Sequence, residues 1–565
     1  MKVVIIGGVA GGATAAARLR RLDEQAEIVL LERSGFVSYA NCALPYYIGG
    51  IISDKGSLTL QTPESFRQRF RIDVRVRHEA LSIDRGAKVV RVRRLEDGSE
   101  YAESYDKLIL SPGAKAVRPD LPGIDSPRVM TLRTVEDTYR IRTYLESRSV
   151  GRAVVVGGGF IGLEMVENLM HFGISTTLLQ RSGQVLPPLD YDMACQVHAH
   201  LRGEGLDLRL NTPVQGYEDT PDGVRVLLSG GCSLETDLVL LAIGVVPETQ
   251  LAKEAGLKLG MRDAIAVDEH MRTSDPDIYA VGDAVEIRNA VTGDAALVAL
   301  AGPANKQGRI AADNLCGRES RYSGAQGSSV IKLFGMTVAS TGLNEKAAKA
   351  AGMRYDKVVT YSSSHAAYYP GAANLTIKTL FLPESGKIIG AQIVGFGGVD
   401  KRIDVLATAI RGGMTSADLE ELDLAYAPPY SSAKDPVNIA GFMIENLRSG
   451  LLRQYHWTDL PSLPTDGSVT LLDVRTPGEY RQGHFPGAVC IPLDALRERL
   501  QELDPSKPVY VNCHSGLRSY LACRILTQHG FSCYNFSGGY RFYSLIAGEQ
   551  RCDAAVTHPC GIPVR

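Results

Sequence analysis

The first 32 residues contain the stretch that decides the fold. It reads Lys2-Val3-Val4-Ile5-Ile6-Gly7-Gly8-Val9-Ala10-Gly11-Gly12, then an Ala/Arg-rich segment, then Glu27-Ile28-Val29-Leu30-Leu31 and Glu32. The two apolar runs predict buried parallel strands, and the segment between them predicts a helix. In such a β-α-β unit, N–H groups at the helix N-terminus bind a pyrophosphate and the acid binds a ribose hydroxyl. We therefore predict a dinucleotide site here.

The same unit recurs about 150 residues later. Residues 153–156 are an apolar run, followed by Gly157-Gly158-Gly159-Phe160-Ile161-Gly162, a complete G-x-G-x-x-G loop, and a second strand is predicted at residues 175–179. Two such units predict two dinucleotides, or one dinucleotide and one flavin. The position of Glu32 in the first unit corresponds to Gln180-Arg181 here. A missing acid beside an arginine leaves the choice between NADH and NADPH open.

Three further apolar runs end in glycine turns. Residues 105–110 lead into Ser111-Pro112-Gly113, residues 238–241 lead into Ala242-Ile243-Gly244, and residues 277–281 lead into Gly282-Asp283. Each pattern predicts a strand that ends at a tight turn. These strands extend the predicted α/β organisation beyond the two nucleotide units.

Composition limits the functions that the chain can have. Its 565 residues allow three to five domains. The 61 basic and 63 acidic residues give a net charge of −2, so we expect no bulk electrostatic binding to nucleic acid or a membrane. No apolar run reaches the roughly 18 residues that span a bilayer, and the N-terminus predicts a strand rather than a signal peptide. The 10 cysteines include no Cys-x-x-Cys pair, which favours a reducing cytoplasm, and we assign no metal site.

Two cysteines lie in motifs that indicate reactive thiols. Cys42 follows the first nucleotide unit, in Ser38-Tyr39-Ala40-Asn41-Cys42-Ala43-Leu44-Pro45-Tyr46-Tyr47. Cys513 follows an apolar run, in Asn512-Cys513-His514-Ser515-Gly516-Leu517-Arg518-Ser519. This second pattern predicts a strand that ends at a loop opening a helix, where N–H groups and Arg518 stabilise a thiolate or persulfide. The other cysteines are interpreted as packing residues, apart from Cys552 and Cys560, which receive no role.

Residues 1 to about 445 resemble the pyridine nucleotide-disulfide oxidoreductases, through the two nucleotide units and the run Tyr279-Ala280-Val281-Gly282-Asp283. The resemblance implies two Rossmann-like domains, one for FAD and one for NAD(P)H, and an α+β dimerisation domain that forms a homodimer. The implied boundaries are residues 1–115 and 245–325 for the FAD-binding domain, 116–244 for the NAD(P)H-binding domain and 326–447 for the dimerisation domain.

The same resemblance assigns residues to the cofactors. Asp283 is expected on the ribityl chain of FAD, and a helix pointing at the isoalloxazine is expected to begin at residues 301–305. The residues expected around FAD are Gly7, Gly8, Ala10, Gly11, Gly12, Glu32, Arg33, Asn41, Ser111, Pro112, Gly113, Gly282, Asp283, Ala301 and Asn305. Those expected around the pyridine nucleotide are Gly157, Gly159, Phe160, Ile161, Gly162, Glu164, Gln180, Arg181 and Gly244.

The single cysteine of the Cys42 motif identifies the branch. Other members carry a Cys-x4-Cys pair, whereas Tyr47 occupies the second position here. The motif resembles the coenzyme A-disulfide reductases, NADH oxidases, NADH peroxidases and NADH-dependent persulfide reductases. Ala10 replaces the catalytic histidine of the peroxidases, which counts against peroxide reduction. A Cys42 thiolate that a helix dipole holds against an oxidised flavin is expected to have a lowered pKa.

Further segments resemble coenzyme A-disulfide reductases, in which two tyrosines from the partner subunit approach the active cysteine. The matching residues are Tyr368 and Tyr426. A phenol there hydrogen-bonds a sulfur species or donates its proton to a leaving thiolate. Coenzyme A carries several phosphates, so its site requires cations. The residues expected around coenzyme A are Thr14, Arg18, Arg21, Ser38, Asn41, Arg69, Arg71 and Lys434.

Residues 467–553 resemble a rhodanese domain, which is an α/β fold. The resemblance rests on the run 469–475, the run 479–488 and the short Cys-x4-Arg loop, which is typical of sulfur-transferring members and implies that Cys513 and Arg518 are catalytic. A docking module without chemistry is the alternative. Residues 448–466 contain Trp457 and two prolines without clear periodicity and are interpreted as a linker, and residues 554–565 as a tail.

Together these features predict a cytoplasmic flavoenzyme that uses NADH or NADPH to cleave sulfur–sulfur bonds at Cys42. Coenzyme A persulfide, polysulfide and coenzyme A disulfide are left open as substrates. Cys513 is expected to relay sulfane sulfur, either to a small thiol or directly to Cys42. The alternatives are an NADH oxidase that uses a Cys42 sulfenic acid, and a sulfur-delivery or redox-sensing protein that serves protein acceptors.

Overall fold

A computed structural model describes residues 1–555, which divide into two compact units. Of the described residues, the first unit contains 1–183 and 206–327, and the second contains 184–205 and 328–555. Among the described residues, no helix has both the length and the apolar character needed to cross a bilayer.

Two five-stranded parallel sheets form the centre of the first unit. Their strands are runs of Val, Ile and Leu because parallel strands are buried on both faces. In order across the sheet, the first consists of Ile278–Ala280, Lys107–Leu110, Lys2–Ile6, Glu27–Glu32 and Asp73–Val76. The second consists of Asp207–Arg209, Ser175–Leu179, Arg152–Val156, Leu238–Leu241 and Val129–Thr131.

Antiparallel strands and helices complete the first unit. Two three-stranded sheets are formed by His78–Asp84, Val89–Arg94 and Glu100–Ser104, and by Val214–Asp219, Val224–Leu228 and Ser233–Thr236. Shorter strands are Ala114–Ala116, Val245–Pro247, Ile265–Ala266, Val285–Arg288 and Ala295–Ala296. The α-helices are Ala10–Leu22, Leu44–Ile48, Pro63–Phe70, Val135–Ser147, Phe160–His171, Gln250–Glu254 and Ala301–Leu315.

An antiparallel sheet and its helices form the first part of the second unit. The strand order is Ser329–Leu333, Met336–Gly342, Ile388–Gly395, Asn374–Phe381 and Asp356–Ser363. The helices are Tyr191–Gly203, Glu345–Ala350, Val399–Gly412, Ser416–Glu421 and Pro436–Arg448. This arrangement is the predicted α+β dimerisation domain, extended by a helix from earlier in the chain.

A buried lysine explains why residues 184–205 pack in the second unit. The fully buried Lys378 Nζ lies 3.0 Å from Asp190, 2.8 Å from Asp192 and 2.6 Å from Glu345. Carboxylates buried together require such a compensating cation. The predicted NAD(P)H-binding segment 116–244 therefore includes one helix, Tyr191–Gly203, that is held by the dimerisation sheet.

The last part of the second unit is a five-stranded parallel sheet with helices. Its strand order is Gln454–Tyr455, Cys533–Phe536, Val509–Asn512, Thr470–Asp473 and Val489–Cys490. Its α-helices are Pro477–Gln482, Leu493–Leu496, Leu517–Gln528 and Gly539–Ala555. The structure confirms the predicted α/β class with its two Rossmann-like sheets, α+β domain and C-terminal α/β domain.

The interpretation of residues 448–466 as a linker requires correction. Gln454–Tyr455 is the edge strand of the C-terminal sheet, and the Trp457 indole N–H lies 3.3 Å from an Asp192 carboxylate oxygen. A strand of two residues is too short to show the alternation that identifies strands in a sequence. At the other end, the helix Gly539–Ala555 runs past residue 553, and Cys560 with most of the predicted tail lies outside the described residues.

Candidate active site

Glycines shape the loop after strand Lys2–Ile6. Gly7 has a φ of +96°, and a Cβ on Gly12 would lie 1.9 Å from the Gly7 carbonyl oxygen. The Glu32 carboxylate accepts hydrogen bonds from the N–H groups of Gly8 and Ser34, both at 2.8 Å. Burial raises the pKa of Glu32, and the two N–H donors oppose that increase. Glu32 is thereby fixed at the strand end, where an acid binds ribose in this fold.

A cavity of about 570 Å³ opens along this loop. It brings together most of the residues predicted around FAD, namely Gly7, Ala10, Gly11, Glu32, Arg33, Asn41, Ser111, Pro112, Gly113, Gly282 and Asp283. The helix predicted near residue 301 begins at Ala301 and contributes Ala304 to the wall. Asn305 on that helix accepts a hydrogen bond from Thr14, at 2.7 Å.

Two charged residues of this cavity escape sequence reasoning. Arg133 donates to Asp283 at 2.9 Å and to the Ala114 carbonyl at 3.0 Å, so it fixes the carboxylate predicted on the ribityl chain. Glu248 accepts two hydrogen bonds from Arg33, at 2.9 and 3.1 Å. Neither residue belongs to a glycine motif, and both approach from distant segments, so no local signal marks them.

The second nucleotide loop repeats the geometry of the first. Gly157 has a φ of +109°, and a Cβ on Gly162 would again lie 1.9 Å from the carbonyl oxygen of the first glycine. The Gly158 N–H donates to Gln180 Oε1 at 3.0 Å, as the Gly8 N–H does to Glu32. Gln180 also donates to the Ser182 hydroxyl at 2.6 Å, and Arg181 is exposed. An amide therefore replaces the acid in an otherwise equivalent site.

The remaining predicted residues of the second site surround that loop. Gly159 precedes the helix Phe160–His171, whose first residues are Phe160 and Ile161. Gly244 follows strand Leu238–Leu241 with a φ of +111°, a conformation that favours glycine. The structure therefore places these residues around one loop, and their contact with a pyridine nucleotide stays a prediction.

Cys42 lies in the short 3-10 helix Asn41–Ala43 and is exposed. The protein groups around it, taken without the flavin of the prediction, raise its pKa. Desolvation of the sulfur and the negative charge of Glu164 raise the pKa of Cys42, and the positive charge of Arg133 lowers it. The following helix Leu44–Ile48 has only five residues, so its dipole is too weak to outweigh these effects.

An acid and a phenol lie beside Cys42. Burial and the neighbouring charge of Glu167 raise the pKa of Glu164 to about 7. The Glu164 carboxyl group shares a hydrogen bond with Tyr46, and burial with this acid raises the pKa of Tyr46 to about 12. The sequence predicts Glu164 only as a cofactor residue, and Tyr46 is visible only as part of the Cys42 motif.

The structure brings Tyr368 and Tyr426 together in the second unit. Their hydroxyl oxygens are 2.9 Å apart, and their side chains are 76% and 47% exposed. They lie on two separate loops, residues 364–373 and 422–435. The hydrogen bond to Tyr426 raises the pKa of Tyr368. An exposed, hydrogen-bonded phenol pair is available to a partner molecule.

The basic residues predicted around coenzyme A differ in whether they are exposed or form an ion pair with an acidic residue. Arg18 is paired with Asp313 at 2.7 Å, whereas Arg21, Arg69 and Lys434 are exposed. Arg71 lies 3.6 Å from Glu24. Ser38 and Asn41 flank the Cys42 loop, and Ser38 has a φ of +49°. The predicted role of Arg18 therefore competes with an internal ion pair.

Cys513 is fully buried at the end of strand Val509–Asn512. Its sulfur accepts hydrogen bonds from the Gly516 N–H at 3.1 Å and the Ser519 hydroxyl at 3.3 Å. Gly516 has a φ of +103°, which turns its N–H toward the sulfur at the start of helix Leu517–Gln528. Both donors belong to the motif that the sequence singles out, although only the N–H groups are predicted.

The Arg518 side chain forms an ion pair with an acidic residue, so its positive charge does not act on the Cys513 sulfur alone. Its guanidinium donates to Glu479 at 2.8 and 2.6 Å. This pair lowers the pKa of Glu479 to about 2. The expectation that Arg518 adds its charge to the Cys513 loop therefore needs amendment, because Glu479 shares that charge.

Comparisons with known proteins agree with this geometry. Residues 1–308 match the family described as pyridine nucleotide-disulphide oxidoreductase. The chain belongs to this family. Residues 328–436 match the dimerisation domain of the same family, and residues 457–544 match the rhodanese-like domain. The rhodanese match begins ahead of residue 467, in agreement with the corrected linker.

Similar proteins cover most or all of the chain. A coenzyme A disulfide reductase of Staphylococcus epidermidis is 37% identical over 442 residues, 78% of this chain and 99% of the relative. The crystal structure of reduced Bacillus anthracis CoADR-RHD is 46% identical, covers 97% of this chain and 98% of that chain, and has a TM-score of 0.95. A NAD-dependent persulfide reductase from A. fulgidus is 40% identical, covers 96% and 100%, and has a TM-score of 0.90.

Members of this family use FAD and NAD(P)H, and the residues of this chain fit both cofactors. The 570 Å³ cavity meets the first glycine loop, where a Cβ on Gly11 would lie 2.9 Å from the Val281 side chain. The second loop has space beyond Gly159, where a Cβ would meet no atom within 4 Å. The side-chain acceptors of Glu32 and Gln180, which bond the N–H groups of Gly8 and Gly158, complete the two sites.

Proposed function

We propose that the enzyme reduces sulfur–sulfur bonds of coenzyme A persulfide, polysulfide or coenzyme A disulfide through Cys42, and that Cys513 relays sulfane sulfur. One observation carries this proposal: a flavoprotein disulfide reductase holds, in the same chain, a buried Cys513 whose sulfur accepts two hydrogen bonds. Such donors stabilise the negative charge of a thiolate or persulfide. Relatives named for coenzyme A disulfide reduction and persulfide reduction support the same substrate class.

Cys42 performs the covalent step in this proposal. Its thiolate attacks the outer sulfur of a persulfide R–S–SH, so that Cys42–S–SH forms and R–S⁻ leaves and takes up a proton. Two electrons and one further proton cleave the new S–S bond, which returns the thiolate and releases H₂S. When bound, FAD supplies these electrons from NAD(P)H. The covalent intermediate divides one difficult reduction into two easier steps.

The tyrosine pair supplies the proton for the leaving thiolate. The Tyr368 and Tyr426 hydroxyls share a hydrogen bond, so one phenol can donate outward while the other reprotonates it. We assign this role to the partner subunit of a homodimer, which the dimerisation-domain match supports. Exposed Arg21 and Lys434 are the cations that we assign to the coenzyme A phosphates.

Cys513 carries sulfur without a change of oxidation state. Its thiolate attacks the outer sulfur of a donor R–S–SH, forming Cys513–S–S⁻ and releasing R–SH. A small thiolate then removes the outer sulfur and restores Cys513. The Gly516 N–H and Ser519 hydroxyl stabilise the charge in both states.

We also infer that both NADH and NADPH serve as reductant. Gln180 keeps the hydrogen bond to Gly158 but lacks the negative charge that repels a 2′-phosphate. The exposed guanidinium of Arg181 follows directly in the chain and favours that phosphate.

The test is anaerobic NADH and NADPH oxidation by the FAD-loaded enzyme with coenzyme A persulfide, coenzyme A disulfide or no acceptor. We expect persulfide-dependent release of hydrosulfide. Oxidation only after air is admitted would instead establish an NADH oxidase that uses a Cys42 sulfenic acid. Turnover that requires an added protein acceptor would instead establish a sulfur-delivery protein.

A further inference from the structure

We propose that Arg402 is a positioning residue for the tyrosine pair, because it anchors the loop that carries Tyr426, and the loop that carries Tyr368 is bonded to that loop. This inference rests on the role proposed above for these tyrosines. Arg402 lies on helix Val399–Gly412 of the second unit and is 1% exposed. A buried guanidinium requires several hydrogen-bond acceptors that compensate its charge. The residues that supply these acceptors indicate which part of the structure the arginine holds in place.

Arg402 holds the second tyrosine loop, residues 422–435, near its C-terminal end. Its guanidinium donates to the Asp435 carboxylate at 3.1 and 3.2 Å, to the Ser431 hydroxyl at 3.1 Å and to the Tyr430 carbonyl at 3.4 Å. The Ser431 hydroxyl donates to Asp435 at 2.7 Å. Three residues of one loop therefore converge on a single side chain.

The first tyrosine loop depends on the second. The Ala366 N–H donates to the Ser431 carbonyl at 3.0 Å and lies 3.3 Å from the Pro428 carbonyl. Ala366 is buried two residues before Tyr368. The anchor on Ser431 therefore reaches both loops, and the contact between the phenols is made at the exposed tips of two segments without regular structure.

A lysine cannot reproduce this anchor. The fork of a guanidinium reaches Asp435, Ser431 and Tyr430 on one side and the Gly398 carbonyl, at 3.1 Å, on the other. A lysine ammonium is a single point charge with fewer directed donors, so it retains the charge for Asp435 and loses the remaining contacts. Arg402→Lys is therefore expected to keep the fold and to loosen the two loops.

The test compares Arg402→Lys, Tyr426→Phe and the double variant as FAD-loaded enzymes with coenzyme A persulfide. We expect Arg402→Lys to lower kcat about tenfold to hundredfold, as small misplacements of reacting groups do. The KM for NADH and the rate of ferricyanide reduction, which need only the cofactor sites, should not change. The double variant should lose less kcat than the product of the two single losses, because Arg402 acts through the tyrosines.

Matched variants separate positioning from general destabilisation. Arg448→Lys changes another arginine of the same domain, which bonds Glu445 and two carbonyls, and should retain full kcat. Ser431→Ala removes one hydrogen-bond partner of Arg402 without a change in charge and should also lower kcat. This variant tests the inference even if Arg402→Lys fails to fold.

The remaining outcomes would overturn either this inference or the role proposed for the tyrosines. Full kcat in Arg402→Lys, or in Ser431→Ala where Arg402→Lys does not fold, overturns this inference. If the loss of kcat in the double variant equals the product of the losses in Arg402→Lys and Tyr426→Phe, this inference is overturned as well, although the tyrosine role survives. Full kcat in Tyr426→Phe overturns the tyrosine role itself, and this inference with it.

Discussion

The two reactive thiols lie in opposite surroundings. Cys42 is exposed, and among the described residues no hydrogen bond reaches its sulfur, while desolvation and Glu164 raise its pKa. Cys513 is fully buried and accepts hydrogen bonds from Gly516 and Ser519. A thiol that receives electrons must be open to a cofactor and a substrate, whereas a thiol that stores sulfur benefits from fixed donors. We therefore expect the reactivity of Cys42 to depend on the bound cofactor and substrate. We expect the reactivity of Cys513 to depend on the hydrogen-bond donors of the protein.

The largest expected effect separates the two thiols completely. Cys42→Ser should lower persulfide-dependent NADH oxidation by about 10³-fold or more, as loss of a covalent nucleophile does. Cys513→Ser should lower sulfur transfer from thiosulfate to cyanide by a similar factor. Each variant should retain the activity of the other thiol. A Cys513→Ser enzyme without persulfide reduction would show instead that the relay is obligatory.

The sequence predicts the two thiols, the glycine loops and the domain order because these depend on contiguous motifs. Contacts such as Arg133 with Asp283 and Arg518 with Glu479 join segments far apart in the chain, and no local pattern encodes them. The expected low pKa of Cys42 refers to a thiolate held against an oxidised flavin, whereas desolvation and the charge of Glu164, which the motif does not reveal, raise the pKa of this thiol. Contiguous motifs thus identify the two candidate thiols, and long-range packing sets the electrostatics around them.

A smaller effect tests the donors around Cys513. Ser519→Ala removes a hydroxyl that donates to the sulfur at 3.3 Å, and a hydrogen bond to a charged group contributes about 1.5 to 3 kcal/mol. We expect sulfur transfer from thiosulfate to cyanide to fall about tenfold, with persulfide reduction at Cys42 unchanged. Ser544→Ala, on an exposed residue of the same domain, is the matched control. An unchanged rate in Ser519→Ala would leave Gly516 as the effective donor.

The acid beside Cys42 predicts a charge effect on the reactivity of this thiol. Glu164 has a pKa of about 7, so it is ionised at the higher pH at which Cys42 loses its proton, and its charge opposes that loss. Glu164→Gln removes the charge, lowers the pKa of Cys42 and should increase alkylation of Cys42 by iodoacetamide several-fold at pH 8. Peptide mapping of both cysteines measures the rates. Slower alkylation of Cys42 in the variant would contradict this assignment of the charge.

The smallest expected effect concerns the choice of the nucleotide that supplies electrons to Cys42. Gln180→Glu places a carboxylate where Glu32 lies in the first unit, and the Gly158 N–H remains its donor. The new charge repels a 2′-phosphate, so the ratio of kcat/KM for NADPH to that for NADH should fall about twofold to threefold, because an exposed charge interaction contributes less than about 1 kcal/mol. Because the change lies in a nucleotide site, sulfur transfer at Cys513 should stay at the wild-type rate. An unchanged ratio would assign the preference to Arg181, and Arg181→Ala would then be the variant that lowers it.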